Sequence, residues 1–315
     1  MTFLNAEGGS ISGNKERWLL ILTGIFLATF FLPIAPAINN VALFLVVAFC
    51  WWFNSWKEKL QLFFARPAVI VIVVFNLFQL ISVLVSDDKE HGFRLLQMRL
   101  PLLLFPISLG LINLRPAIKY RVLLINALIT TAAACYCLIT AFILYLEKND
   151  TGFLYNDALT YGINKQSVYF ALMVNVAIFS YGYLLIKKLL GRQLRWVAIV
   201  SIAFLMIIHF LLASRMEISF LYATVVVFAL YHFFIVKKNK MAGFGLIGAL
   251  AICGFVFVQL FPKTINRFNE LMYPKFEFNS EAVESHYNGE LTAEQWNGLN
   301  IRLAIWTCGM EVIKA

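Results

Sequence analysis

The chain is poor in charged residues, and this scarcity excludes a water-soluble globular fold. Only 14% of its 315 residues are Asp, Glu, Lys or Arg, whereas 61% are hydrophobic, and the mean hydropathy is +0.78. Soluble domains carry about 25% charged residues, because their surfaces must be hydrated. Long apolar segments separated by short polar ones fill most of the chain up to residue 261. The composition therefore predicts an all-α fold, a polytopic integral membrane helix bundle.

The sequence also lacks several short motifs that mark soluble enzymes. It contains no Walker loop, no Gly-x-Ser-x-Gly and no His-Glu-x-x-His. Its five cysteines have no metal-binding spacing, and we expect them to be small hydrophobic residues buried in the protein. None of the four histidines has a second ligand at metal spacing. We therefore expect neither a metal site nor a cofactor.

Nine segments approach the length that a membrane crossing requires, which is about 20 helical residues. They are residues 17–34, 38–54, 67–85, 95–113, 121–146, 167–186, 196–213, 217–236 and 242–261. Lys and Arg cluster in every second connection, beginning with the N-terminal one. Since cytoplasmic loops carry an excess of these residues, the N-terminus is predicted to be cytoplasmic. We interpret the net charge of +9 as a sign of membrane orientation rather than of nucleic-acid binding.

The two ends of the chain differ in character. Residues 1–261 are predicted to form the transmembrane helix bundle, and residues 262–315 to begin a large extracytoplasmic loop. Near the C-terminus Leu299, Leu303, Trp306 and Met310 recur at helical spacing, and the pattern continues to the last residues. We therefore expect the chain to be the truncated N-terminal part of a longer protein.

Arg215 is the charge that most needs an explanation. It lies in Ser214-Arg215-Met216-Glu217, between two apolar segments of nearly bilayer length. A charge inside hydrocarbon is costly, so we expect Arg215 at the extracytoplasmic membrane face or in a wet cavity, where it is a candidate functional residue. A snorkelling interfacial arginine, or an ion pair with Glu217, explains its position equally well.

Further arginines are predicted on the same side of the membrane. Arg302 and Trp306 are four residues apart and would share a helix face, either as part of an anion site or as a solvated arginine covering the indole. Arg94 and Arg99 open the fourth predicted span, where they either support that site or anchor the helix at the interface.

The segment Asn300-Ile-Arg302-Leu-Ala-Ile-Trp306 resembles the Asn-x-Arg-x-x-x-Trp motif of the bacterial O-antigen ligase and O-antigen polymerase superfamily. Ser214-Arg215 resembles the family's arginine at the outer junction of two spans. In the family a Gly-rich block follows the Trp-containing helix, and this chain ends before it. The resemblance covers the N-terminal three quarters of such a protein.

The resemblance implies a metal-independent glycosyltransferase of the bacterial inner membrane that acts at the periplasmic face in lipopolysaccharide biosynthesis. Its donor would be a glycan on undecaprenyl diphosphate, and its acceptor another glycan or the lipid A core. Arg215 and Arg302 would bind the diphosphate, while Trp306 would pack the loop helix. The family's catalytic histidine would lie beyond Ala315, so this fragment would be inactive.

The sequence leaves several alternatives open. Ligase, polymerase and protein O-glycosylation differ in the acceptor, which the residues do not identify. A membrane transporter or flippase is the alternative from a different class, although such proteins usually place charges near the membrane midplane.

Overall fold

The computed structural model describes residues 11–33, 36–236, 240–260, 305–311 and 314. Every regular element in these ranges is helical. The main helices are α1 (Ile11–Phe30), α2 (Pro36–Trp51), α3 (Trp56–Ala65), α4 (Pro67–Val85), α5 (Lys89–Ser108), α6 (Pro116–Lys148), α7 (Asn156–Leu159), α8 (Ser167–Ile186), α9 (Arg192–Leu211), α10 (Arg215–Ala229) and α11 (Lys240–Leu260). A π-helical segment, Leu230–Val236, continues α10.

Helix starts follow from local sequence. Proline occupies the first position of α2, α4 and α6, where its missing N–H costs no intrahelical hydrogen bond. The Ser55 hydroxyl caps α3, and the Asp88 carboxylate caps α5 by accepting a 3.0 Å hydrogen bond from the His91 N–H. This cap makes Asp88 part of an ordinary helix-starting turn.

Within the described residues, six helical segments are long and apolar enough to cross a membrane. They are Pro67–Val85, Lys89–Leu111, Pro116–Lys148, Ser167–Ile186, Arg192–Leu211 and Arg215–Phe233. The predicted count of nine spans is therefore not confirmed. The prediction for residues 38–54 missed a bend of 103° between Ala37–Trp51 and Trp56–Ala65, a pair that adds a seventh span only if both helices count as one.

The surface of the helices requires a bilayer. The most apolar window of α4 has a mean hydropathy of 2.8, yet only 11% of it is buried within the protein. Val71, Phe78 and Val85 on this helix are all largely exposed. Water does not tolerate a continuous apolar surface of this length, whereas lipid does. The chain is a multi-pass, α-helical membrane protein.

The described residues fold into two compact units. Unit 1 draws on Met1–Ile139, Gly162–Asn164 and Val176–Leu205, and unit 2 on Thr140–Tyr161, Lys165–Asn175 and Met206–Ala315. Part of the core of unit 1 is formed by Leu19, Val46, Cys50 and Ile112, with the rings of Phe26 and Phe49 packed against them.

Several basic residues of unit 1 bind neighbouring elements internally. Arg66, just before α4, donates from Nη1 to the carbonyls of Gly110 (2.5 Å) and Ile112 (3.2 Å), and from Nη2 to Asn113 Oδ1 (2.8 Å). These bonds satisfy carbonyls at the end of the 3₁₀ turn Leu109–Leu111, where the helical ladder stops. The sequence pattern assigned Arg66 to membrane orientation alone and gave no sign of this contact.

Two further charged residues, Lys59 and Glu16, also bind neighbouring elements within unit 1. Lys59 Nζ donates to the Trp51 carbonyl and lies 5.2 and 5.5 Å from the ring centroids of Trp51 and Trp56, a cation–π arrangement. Buried Glu16 forms an ion pair with Arg115. Charges that the sequence places in connections therefore also hold helices together.

The cysteine prediction is confirmed in part. Cys50 and Cys137 are buried, as expected of small hydrophobic residues, but Cys135 is exposed, and so is Cys308. Cys135 and Cys137 lie two residues apart on α6, which points them to different helix faces. Only one of the two therefore faces the protein interior.

Candidate functional site

Arg215 lies in unit 2 at the first position of α10, directly after a tight chain reversal that follows α9. The Leu212 N–H donates to the Ile208 carbonyl (2.9 Å) and the Ala213 N–H to the Phe210 carbonyl (3.0 Å), which ends α9. Ala213 adopts a left-handed backbone with a φ of 48°. Arg215 therefore lies between two span-length helices, as the sequence predicts, and its side chain is half-buried.

The first turn of α10 carries a capping-box pattern that the structure does not use. Ser214 and Glu217 have the Ser-x-x-Glu spacing in which the serine hydroxyl binds the third backbone N–H of the helix. The Ser214 side chain makes no such capping bond. The start of α10 therefore keeps its partial positive charge at the position of the Arg215 side chain.

Glu217 is bound to α8 instead. Asn175 Nδ2 donates to Glu217 Oε2 at 2.8 Å and to the Glu217 carbonyl at 3.0 Å. Asn175 is fully buried. It lies 42 residues before Glu217 in the chain, so the packing of α8 against α10 within unit 2 brings the two residues together. A neutral amide that binds both groups fixes the rotation of α10, and with it the direction of its first turn.

His209 adds a second buried polar side chain near the same point. It lies in the last turn of α9 and is 0% exposed, and the backbone of Glu217 lies beside its ring. Among the described residues, neither ring nitrogen has a partner that meets hydrogen-bond geometry, and the same holds for Asn175 Oδ1. We call Asn175, His209 and Glu217 the polar cluster.

The polar cluster is chemically unusual for the inside of a helical bundle. Buried polar atoms in native proteins are almost always hydrogen-bonded, because each unpaired one costs about 1–3 kcal/mol. The two ring nitrogens of His209 and the amide oxygen of Asn175 are therefore costly to bury. An ionisable side chain such as His209 in a membrane-spanning helix is costly to bury and is therefore a candidate functional residue.

Of the other predicted site residues, Trp306, Arg94 and Arg99 lie on other helices than Arg215. Arg302 lies outside the described residues. Trp306 belongs to the helical segment 305–311, where its side chain is 67% exposed. Arg94 and Arg99 are exposed on α5 of unit 1, and Arg99 lines a small cleft there with His91.

Residues 147–166, between α6 and α8, are held by internal hydrogen bonds. Asp150 Oδ1 accepts from the Gly152 N–H (2.7 Å), and Asp157 Oδ1 from the Ser167 N–H (2.6 Å), the latter at the start of α8. Buried Thr160 donates to the Lys165 carbonyl (2.5 Å). The carboxylates of Asp150 and Asp157 therefore serve a turn and a helix start.

A glycine pattern in α11 shows why a motif needs its structural context. Gly243, Gly245 and Gly248 match the letters of the dinucleotide-binding Gly-x-Gly-x-x-Gly. All three lie inside the continuous helix Lys240–Leu260 rather than in a strand-to-helix turn. The phosphate-binding loop that gives this pattern its meaning is not formed in this part of the chain.

The described residues contain no group of three His, Cys, Asp or Glu side chains positioned to hold a metal ion. Comparisons with known proteins identify no relative: no protein-family model matches, and neither a curated protein nor a solved structure is significantly similar. The fold and the site therefore define a class, a multi-pass helical membrane protein with a polar cluster next to an arginine-bearing helix start.

Proposed function

We propose that the protein is a membrane glycosyltransferase that moves a glycan from undecaprenyl diphosphate to an acceptor at the periplasmic face of the bacterial inner membrane, as an O-antigen ligase or polymerase does. The observation that carries the proposal is Arg215 at the first position of α10, with Ser214 leaving the helix start uncapped. A helix start of this kind is favourable for an anion. The motif of Arg302 and Trp306 supplies the link to the family.

The chemistry of a diphosphate donor fits these groups. When the glycosyl bond to the diphosphate breaks, the bonding electrons remain on the phosphate oxygen, and negative charge builds up there. A guanidinium stabilises that charge through two parallel N–H donors without needing a metal ion. The sugar carbon then bonds to the acceptor oxygen, whose proton is lost to a general base.

Glu217 must be accommodated in this scheme, because a carboxylate near a diphosphate is repulsive. Its hydrogen bond from Asn175 assigns it a structural partner inside unit 2. In the proposal Glu217 therefore sets the orientation of α10, and Arg215 contacts the donor.

Arg215→Ala tests the proposal. We expect the variant to insert into the membrane normally and to lose about 100-fold or more of its glycan transfer, since it removes a donor that acts on developing charge. Arg215→Lys keeps the charge but not the paired donors, so we expect an intermediate loss. The measurement is the transfer of a labelled glycan from undecaprenyl diphosphate in purified membranes.

Arg17→Ala is the matched control, because Arg17 is an exposed arginine on α1 of unit 1. It should transfer glycan at the wild-type rate. Normal transfer by Arg215→Ala, or an equal loss in both variants, would contradict a donor-binding role for Arg215.

A transporter or flippase remains the second candidate, and the polar cluster is the observation that favours it. Ionisable groups inside a helix bundle frequently mark a path for ions or polar substrates. Proteoliposomes that contain the protein, a labelled lipid-linked glycan and no glycosyl acceptor separate the two functions. Movement of the glycan across the bilayer would support transport, and an unmoved glycan that reacts once an acceptor is added would support transfer.

A further inference from the structure

A second charged site lies in unit 1, apart from everything assigned to Arg215. A cleft of about 740 Å³ opens between the first turns of α6 and the turn that joins α8 to α9. Its lining includes the cations Arg121, Lys188, Arg192 and Arg195, and no acidic residue is among the residues that line it. We call it the basic cleft. Four positive side chains around one concavity create a positive potential that attracts anions.

The turn that carries these cations is well defined. The N–H groups of Lys187 and Leu189 donate to the carbonyls of Tyr183 and Leu184, each at 3.0 Å, and so satisfy the end of α8. Lys188 between them has a left-handed φ of 55°. Because the carbonyls at the end of α8 are bonded within the turn, they offset less of the positive charge around the cleft.

Arg195 is oriented as well. Its Nε donates to the Leu190 carbonyl at 2.9 Å, which leaves the two terminal nitrogens of the guanidinium for other contacts. Arg192 and Arg195 belong to the first turn of α9, whose partial positive charge adds to theirs. The orientation of Arg195 is thus set by a hydrogen bond within the protein.

Part of the wall of the basic cleft is apolar. Leu124, Leu184 and Leu189 line it, and Trp196 next to Arg195 is largely exposed, as an interfacial tryptophan is. Cations beside apolar walls match a molecule with a phosphate at one end and hydrocarbon at the other. A free phosphate would fill little of 740 Å³, which is within the usual size range of ligand sites.

We propose that the basic cleft binds the headgroup of an anionic glycerophospholipid such as phosphatidylglycerol. Basic pockets between membrane helices bind such headgroups through their phosphates. A zwitterionic headgroup fits less well, because its own ammonium group is repelled by four cations. In the orientation predicted from the sequence, the cleft faces the cytoplasmic leaflet, so the site is separate from the proposed transfer reaction and does not depend on it.

The double variant Lys188→Gln and Arg192→Gln tests this site. Both side chains are exposed, and the substitution removes two of the four cations while it leaves Arg195 bonded to Leu190. Native mass spectrometry of the purified protein titrated with phosphatidylglycerol (POPG) or phosphatidylethanolamine (POPE) gives the affinities. We expect wild type to prefer POPG, and the double variant to bind POPG roughly 10- to 30-fold more weakly. Each single variant should show a smaller loss, and can replace the double variant if that protein does not fold.

The control variant, Arg17→Gln with Lys57→Gln, removes the same charge from exposed positions of unit 1 outside the cleft. It should bind POPG within about twofold of wild type, since distant surface charges are screened. Three results would overturn the proposal: an equal loss in both double variants, equal binding of POPG and POPE, or displacement of POPG by millimolar inorganic phosphate. The last result would assign the cleft to a free anion.

Discussion

At the scale of single residues, Asn175 is the side chain that links α8 to the first turn of α10. One buried amide donates to both the carboxylate and the carbonyl of Glu217. Hydrogen bonds to charged groups contribute about 1.5–3 kcal/mol, more than the usual neutral pair. The orientation of the helix that begins with Arg215 therefore rests on Asn175 in a different helix, 42 positions before Glu217.

Asn175→Leu should lower the free energy of unfolding of the purified protein by about 2–3 kcal/mol, because it leaves the Glu217 carboxylate without its amide partner. Thermal unfolding in detergent measures the loss. Ser180→Ala on the same helix is the control, since that hydroxyl bonds only to the Val176 carbonyl one turn earlier and should cost about 1 kcal/mol or less.

A double-mutant cycle decides whether the two residues act as a pair. If the two side chains do, Asn175→Leu should cost less in a protein that already carries Glu217→Leu, where only the bond to the backbone carbonyl at position 217 remains. Additive losses would show that Asn175 acts through the Glu217 carbonyl or through packing, and not through the carboxylate.

At the scale of helices and turns, the chain reversal before α10 stores backbone strain. Ala213 is buried and has a φ of 48°, a conformation that L-residues other than Gly, Asn and Asp rarely adopt. Such strain costs about 1–3 kcal/mol and persists where the surrounding structure imposes it, often near functional sites. Here it reverses the chain within three residues and brings Arg215 to the start of α10.

Ala213→Val should destabilise the protein by about 2–3 kcal/mol, because a β-branched side chain at this φ is more strained than alanine. Ala213→Gly should stay within about 1 kcal/mol of wild type, since relief of strain offsets the entropy of glycine and the lost methyl group. Unfolding midpoints in detergent compare the two. A valine variant as stable as the glycine variant would rule out strain in this turn.

Arg66 offers a second test at this scale, because it can serve either to orient the membrane segments or to bond neighbouring elements. If Arg66 only orients the membrane segments, Arg66→Lys should be harmless, since the charge is kept. Three hydrogen bonds from a planar fork instead predict a loss of about 2 kcal/mol or more, because lysine reaches fewer of the three acceptors. The unfolding midpoint of the lysine variant, compared with exposed Arg17→Lys, separates the two roles.

At the scale of the whole molecule, the exposed apolar surfaces demand a bilayer, while the side of each connection is a prediction from charge. The basic turn after α8 is predicted to be cytoplasmic, and the connection between α6 and α8 extracytoplasmic. These assignments decide whether Arg215 meets a donor at the outer face.

Single cysteines at Lys188 and Asp150, in a cysteine-free background, test the topology. A membrane-impermeant maleimide applied to intact cells or spheroplasts should label the cysteine at position 150 and not the one at 188, and permeabilised cells should give labelling of both. Both positions are exposed in the structure. The reverse labelling pattern would place Arg215 at the cytoplasmic face and remove the basis of the proposed function.

The membrane class could be predicted from the sequence because hydropathy acts locally. Six of the nine predicted segments coincide with helices that meet the requirements for a span. The segment at 17–34 does not, because its helix α1 also contains Lys15, Glu16 and Arg17. The segment at 38–54 ends in a bend, which hydrophobic content does not reveal.

The sequence by itself determined that the chain is helical and membrane-bound, and that Arg215 separates two apolar segments, because these properties depend on residues close together in the chain. Only the tertiary structure decided which polar groups meet: Asn175 with Glu217, Arg66 with Gly110, and the cations of the basic cleft with one another. Such contacts depend on how distant helices pack and rotate, which the pattern of a single segment does not encode. The Ser-x-x-Glu spacing at Ser214 is the clearest case. Local rules predict a capping box there, but the Ser214 side chain makes no capping bond, and the Glu217 carboxylate accepts a hydrogen bond from Asn175 on α8.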